Sequence, residues 1–303
     1  MHLLANWPNL LQSGEFYSFL CALVWAVAVI MFKLSGELVR PLSLNLFKNC
    51  VGVMLFALTL PFLGVSFFPD ISPSDLLRLI LSGLIGISLA DTLFFSSLNR
   101  IGASLNSIVD CLYSPLVILL SILFLGDKIT VPFLIGTGLI LSGIVISSIK
   151  NAKIDIPAKI LLEGIIFGVL SMLFMAISLV IMKPVLSKYS IAWLSMVRLF
   201  CGNLGLVAFW LFQPDRRELI ACFRPSKTWK VIMPPAIIGS YVSYILWMLG
   251  LKLTYTSTAA VLNQMSAFFV IILAAIFLKE RLSYDKVAAI TLAMSGAILV
   301  SLG

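Results

Sequence analysis

Charge is scarce in this sequence. Asp, Glu, Lys and Arg together make up 11% of its 303 residues, against about a quarter in an ordinary water-soluble domain. Histidine is scarcer still. His2 stands alone, which leaves no imidazole set for a metal centre and no Ser–His–Asp triad. The five cysteines, Cys21, Cys50, Cys111, Cys201 and Cys222, are scattered and form no CxxC pair, so neither a disulfide framework nor a thiolate metal site is indicated. A phosphate-binding P-loop and an HExxH helix are both missing, which removes nucleotide hydrolysis and zinc-protease chemistry. The expectation is a protein that is not an enzyme and carries neither cofactor nor metal.

What is abundant is apolar. Hydrophobic residues make up 61% of the chain and the mean hydropathy is +1.11. A water-soluble core cannot absorb that much, but a bilayer can, because lipid-facing and core-facing helix surfaces are both apolar. The net charge of +8 would suggest nucleic acid in a soluble protein. Here the basic residues sit in short loops and no aromatic-interleaved basic patch exists, so membrane topology explains the charge and no nucleic-acid partner is expected.

A spanning helix takes about 20 apolar residues. Ten segments qualify: 16–34, 42–64, 76–98, 102–125, 131–149, 160–182, 190–212, 230–251, 255–278 and 284–302. The first has no Lys or Arg before it, so it reads as a span and not as a signal peptide. Tight breaks near 100 and 253 either separate two helices or kink one. Sliding the chain until Asp127 meets Glu280 superposes, without a gap, Ser104 on Ser257, Val117 on Val270, Phe124 on Phe277 and Ser142-Gly143 on Ser295-Gly296. A nearly equal shift brings Lys33 onto Lys183 and Lys48 onto Arg198. The fold class expected is therefore an all-α integral membrane protein with two five-helix halves, 1–150 and 151–303, around a central cavity. Five spans per half is an odd number, so the halves insert upside down to each other. Inverted repeats of this kind mark secondary transporters, with the substrate site at the repeat interface.

Several stretches also carry a family likeness. LTYTSTAAVLNQ from Leu253 to Gln264, FLKERLS from Phe277 and SGAILV from Ser295 resemble the second EamA repeat of the drug/metabolite transporter superfamily. RIGASLN from Arg100, Ser114-Pro115, LGDK from Leu125 and SGIV from Ser142 resemble the first. Two departures stand out: Asp127 replaces the usual Glu, and Pro115 has Phe268 as its counterpart. The resemblance implies a ten-helix carrier of small metabolites, and among bacterial relatives a place in the cytoplasmic membrane with both termini inside. Loop charge points the other way, with about fourteen basic residues on the face opposite the termini and five on theirs, which puts the termini outside by the positive-inside rule.

Ionisable groups within a span are costly and therefore candidates for function. Asp110 leads. It shares helical spacing with Asn99, Asn106 and Tyr113/Ser114, which builds a polar stripe, and its repeat image is Asn263, beside Gln264. Asp110 would couple transport to protons or bind a cation; the structural alternative is a packing hydrogen bond. Asp91, whose image is Tyr244, lines a cavity or ties two helices. Lys48 and Arg198 either hold a carboxylate or phosphate of the cargo, or snorkel to the interface or pair with an Asp such as Asp91 or Asp110. Trp25, Ser240, Ser243, Tyr244 and Trp247 could sandwich a planar or amphipathic cargo, or simply pack. Small residues are expected to pack helices (Gly164 and Gly168; Ala289, Ala293 and Ala297) or, at Gly83 and Gly86, to let one flex. Asp127 and Glu280 would cap the following helix or clamp the bundle ends.

The leading reading is a secondary transporter working by alternating access with protons as the coupling ion, its partners a small, amino-acid-like or amphipathic solute and the lipid bilayer. A non-coupled facilitator or exchanger shares this fold. A receptor or assembly subunit would need neither the repeat nor the polar stripe, and a membrane-embedded transferase would need an acidic or His cluster that is not there.

Overall fold

The computed structural model describes residues 13–125, 130–151, 156–212, 221–254, 256–280 and 283–302. Among these, every regular element is helical and no strand occurs; Asp127 lies outside them. The α-helices are α1 (Gly14–Gly36), α2 (Pro41–Phe62), α3 (Pro73–Gly83), α4 (Asp91–Asp110), α5 (Tyr113–Leu125), α6 (Val131–Asn151), α7 (Ala158–Leu186), α8 (Ile191–Leu211), α9 (Trp229–Ile237), α10 (Tyr244–Leu253), α11 (Thr256–Phe277) and α12 (Tyr284–Leu302). Two π-helical stretches, Leu84–Ala90 and Ile238–Ser243, join α3 to α4 and α9 to α10. Six helices among the described residues are long and apolar enough to cross a bilayer: α1, α2, α7, α8 and the composite rods Pro73–Asp110 and Trp229–Leu253.

Local chemistry sets where the helices begin. Ser13 accepts the Phe16 N–H and Ser72 the Asp75 N–H, each at 3.2 Å, which satisfies a free donor in the first turn. Proline opens α2 and α3, where its missing N–H costs nothing.

Both tight breaks interrupt the helix. Gly102 has φ 77° and ψ 171°, a conformation open to glycine, and Thr254 is extended. The segment expected as one helix over 102–125 is cut a second time, at Cys111–Leu112. Pro115 is the physical reason: it has no N–H to give the Cys111 carbonyl and its ring crowds that carbonyl. The repeat image of Pro115 is Phe268, and α11 runs through it unbroken from Thr256 to Phe277.

Small residues draw the helices together. Gly164 faces Ile101 and Gly168 faces Val109, while the Ser97 hydroxyl donates to the Gly164 carbonyl at 2.8 Å. Ala289, Ala293 and Ala297 are fully buried on the side of α12 that meets α6 at Gly143. Gly83 and Gly86 allow close approach: a side chain on Gly83 would strike the Arg198 carbonyl, and one on Gly86 would strike Ser178 and the Arg198 guanidinium.

Two polar contacts close opposite ends of the rod that starts at Pro73. At its start, Lys188 lies 2.9 Å from Asp75. Just past its Gly102 break, Glu280 accepts the Ala103 and Ser104 N–H groups at 3.0 and 3.3 Å and sits 3.5 Å from Lys286. Glu280 thus caps the helical piece that restarts after Gly102, not the helix that follows it in sequence. With a rise of 1.5 Å per residue the two contacts lie roughly 40 Å apart.

Gly164→Val should lower the thermal midpoint in detergent, since added methyls meet Ile101 and overpacking of this kind costs about 1–3 kcal/mol. Gly138→Ala, where a new methyl meets open space, should hold or raise it. A thermal scan of both variants checks the pair.

Candidate functional site

A cavity of about 190 Å³ lies among α1, α2, α4, α5, α7, α8, α10, α11 and both π stretches. Nine of the ten candidate residues line it: Trp25, Lys48, Asp91, Asp110, Arg198, Tyr244, Trp247, Asn263 and Gln264. Ser240 and Ser243 join them from the second π stretch. The tenth, Asn106, is fully buried behind Asp110 and gives its amide to both carboxylate oxygens at 3.2 and 3.3 Å.

Both π stretches end one residue before a candidate, Asp91 in one case and Tyr244 in the other. A π turn widens the helix and re-aims the side chains after it. These two residues are images of each other under the sequence repeat, and so are the cations they meet. Lys48 Nζ donates to Asp91 Oδ2 at 2.6 Å and to Asn49 Oδ1 at 2.8 Å, and lies 5.5 Å from the Phe95 ring centre. Arg198 donates through Nη1 to the Tyr244 hydroxyl at 2.9 Å and through Nη2 to Ser178 Oγ at 2.7 Å. Its guanidinium carbon is 5.4 Å from the Trp247 ring centre, within cation–π range.

The two cations differ in one respect. The Lys48 side chain is 6% exposed and its charge is matched by a carboxylate that is 14% exposed. Arg198 is 0% exposed, none of the ion pairs among the described residues includes it, and its Nε–H has no hydrogen-bond partner. Neither cation snorkels. Other buried polar atoms on the wall also lack partners: Ser240 Oγ, Ser243 Oγ, Asn263 Oδ1 and the Tyr113 hydroxyl.

Asp110 is the last residue of α4, at the Pro115 break. Gln264 Nε2 reaches its backbone carbonyl at 3.4 Å, which ties α11 to the end of α4. Irregular backbone at membrane depth is tolerated where it lines such a cavity.

Asn99, placed on the Asp110 stripe by spacing, stands apart. The Gly102 break cuts the helix between them, and Asn99 instead gives its amide to the Gly36 carbonyl at 3.2 Å. Phe94, Met172 and Met175 line the cavity as well, although nothing in their apolar surroundings distinguishes them in the sequence. Ser178, which holds Arg198, was equally unforeseen; a serine in a run as apolar as α7 was the available signal.

Several bilayer-length apolar helices around an internal cavity bordered by charged side chains have the makings of a membrane transporter, and the comparisons agree. The EamA-like transporter family model matches residues 12–149 and again residues 162–302. The chain belongs to the EamA-like transporter family. An uncharacterized transporter of Archaeoglobus fulgidus is 37% identical over 65 residues, 22% of this chain and 24% of that protein, so the match spans about a quarter of the relative's length. A crystal structure of a protein with 15% identity aligns over 95% of this chain and 96% of that one with a TM-score of 0.68, a likeness of fold.

Removing one partner of a buried ion pair strands the other, at a cost of about 3–5 kcal/mol, while replacing both by apolar groups is often neutral. Asp91→Leu alone should therefore lower the thermal midpoint sharply, and Asp91→Leu combined with Lys48→Met should recover most of the loss.

Proposed function

We propose that this chain is a secondary transporter in which two halves, residues 1–150 and 151–303, rock about the cavity and open it alternately to the two sides of the membrane. Each half contributes five spans, ten in all, and the halves are inverted to one another. The observation that carries this reading is the composition of the cavity wall. Residues related by the sequence repeat, Lys48 with Arg198, Asp91 with Tyr244 and Asp110 with Asn263, all line one cavity. A carrier built from inverted halves needs its binding groups at the interface of the repeats.

The end contacts fit the same motion. Lys188 and Glu280 belong to the second half, while Asp75 and the Ala103 and Ser104 amides belong to the first. Each contact must part when its own end of the cavity opens. Coupling falls to Asp110, which lines the cavity and is held on the protein side by an amide, with no cation in an ion pair with it among the described residues. A carboxyl group so placed can take a proton in one state and release it in the other. An energised membrane, such as the cytoplasmic membrane of a bacterium, supplies the gradient, because the sequence has no motif for hydrolysing nucleotide.

Purified protein in liposomes tests the coupling. Flux of a pooled set of small metabolites should follow an imposed pH gradient, and Asp110→Asn should abolish the gradient-driven part while the protein remains inserted. Gradient-driven flux that survives in Asp110→Asn would remove Asp110 from the coupling role.

A further inference from the structure

The two halves of the cavity carry the same interaction with one atom set changed. In the first half the cation from α2 meets the residue that follows the first π stretch, Lys48 on Asp91 at 2.6 Å. In the second half the cation from α8 meets the residue that follows the second π stretch, Arg198 on Tyr244 at 2.9 Å. Where the first pair is an ammonium on a carboxylate, the second is a guanidinium on a phenol. A phenol hydroxyl accepts a hydrogen bond but brings no charge, so the first pair is neutral and the second keeps a full positive charge.

Such a charge is expensive to hold away from water unless something matches it. Arg198 is fully buried, its Nε–H is unpartnered, and it borders the cavity. The fork of a guanidinium suits the two oxygens of a carboxylate, and one unmatched charge suits a monoanion. A dianionic phosphate fits less well, since its second charge has no counterpart: Lys48 is already matched by Asp91. The cavity volume of about 190 Å³ suits a small solute. Trp247, whose ring lies 5.4 Å from the guanidinium carbon, gives an apolar face beside the anion.

From this broken symmetry we infer that the solute bound in this cavity is a small carboxylate whose anionic group is held by Arg198. The inference rests on the cavity being the transport path. Tyr244 sets the preference, because a carboxylate in its place would neutralise Arg198 as Asp91 neutralises Lys48.

The test is ligand-induced thermal stabilisation of the purified, full-length protein, followed by flux in liposomes. The probes are alanine, phenylalanine, propionate and benzoate, each against its own amide, with inorganic phosphate as a separate arm. At least one carboxylate should raise the midpoint while its amide and phosphate do not. Arg198→Gln should weaken that binding roughly thirty-fold or more, and Tyr244→Asp should abolish the preference for carboxylate over amide. Tyr244→Phe adds no charge and should keep that preference. Arg198→Lys retains the charge without the fork and serves if Arg198→Gln does not fold, which size-exclusion elution reports; it should still prefer carboxylate to amide, with weaker binding.

Stabilisation by amides as large as by carboxylates, by phosphate alone, or by no probe would overturn the inference, and so would a Tyr244→Asp variant that still prefers carboxylates. A carboxylate that binds through Arg198 but never crosses the liposome membrane would sink the transport reading and leave the binding site standing. Transport of amides without carboxylates would do the reverse.

Discussion

A positive charge placed among apolar helices must be matched, hydrogen-bonded or given up, and much of the central architecture follows from how Arg198 is accommodated. The glycines of α3 and the first π stretch let two helices approach closely enough for Gly86 to lie against the guanidinium. Ser178 on α7 takes one Nη2 hydrogen, Tyr244 accepts from Nη1, and Trp247 offers its face. Three elements, the first π stretch, α7 and α10, thus meet on a single side chain of α8. Polar ties between membrane helices average well under 2 kcal/mol each, so it is their convergence on one group that fixes the wall of the cavity. Ser82 and Ser178 extend the tie, each donating its hydroxyl to the other's carbonyl at 3.0 and 2.8 Å.

Backbone irregularity is concentrated at the same depth. Both π stretches and the Cys111–Leu112 break adjoin residues that line the cavity. A regular helix would point Asp91 and Tyr244 along the 3.6-residue period of the residues before them; a widened turn frees both from that register. The first half adds Pro115, which the second lacks, so the two sides of the cavity differ in backbone as well as in charge.

Much of this was legible in the sequence. Apolar runs of bilayer length announce the membrane, and the alignment of Asp127 with Glu280 makes Tyr244 the image of Asp91 and puts Lys48 near the register of Arg198. Intramembrane charge is so costly that a short list of ionisable and aromatic residues was enough to find the wall of the cavity. What stayed hidden depended on pairing in space. No pattern tells that Lys48 reaches Asp91, or that Ser178 and not a carboxylate holds Arg198. Asn99 misled because helical spacing assumes an unbroken helix and Gly102 breaks it. Glu280 was read as a cap or a clamp; its actual partners, the Ala103 and Ser104 amides, lie in the other half of the sequence. Met172 and Met175 were invisible because an apolar residue facing a cavity looks the same in sequence as one facing lipid.

The contrast between Asp91 and Tyr244 also has a meaning for descent. The codons for tyrosine and for aspartate differ at a single base, the first. A duplicated ancestral half needs no rebuilding to pass between a cavity with two neutral pairs and a cavity with one bare cation. Backbone, π turns and helix contacts can stay as they are while the sign of what is welcome inside changes. A single-base change is therefore enough to alter the charge on this wall of the cavity without a change of fold.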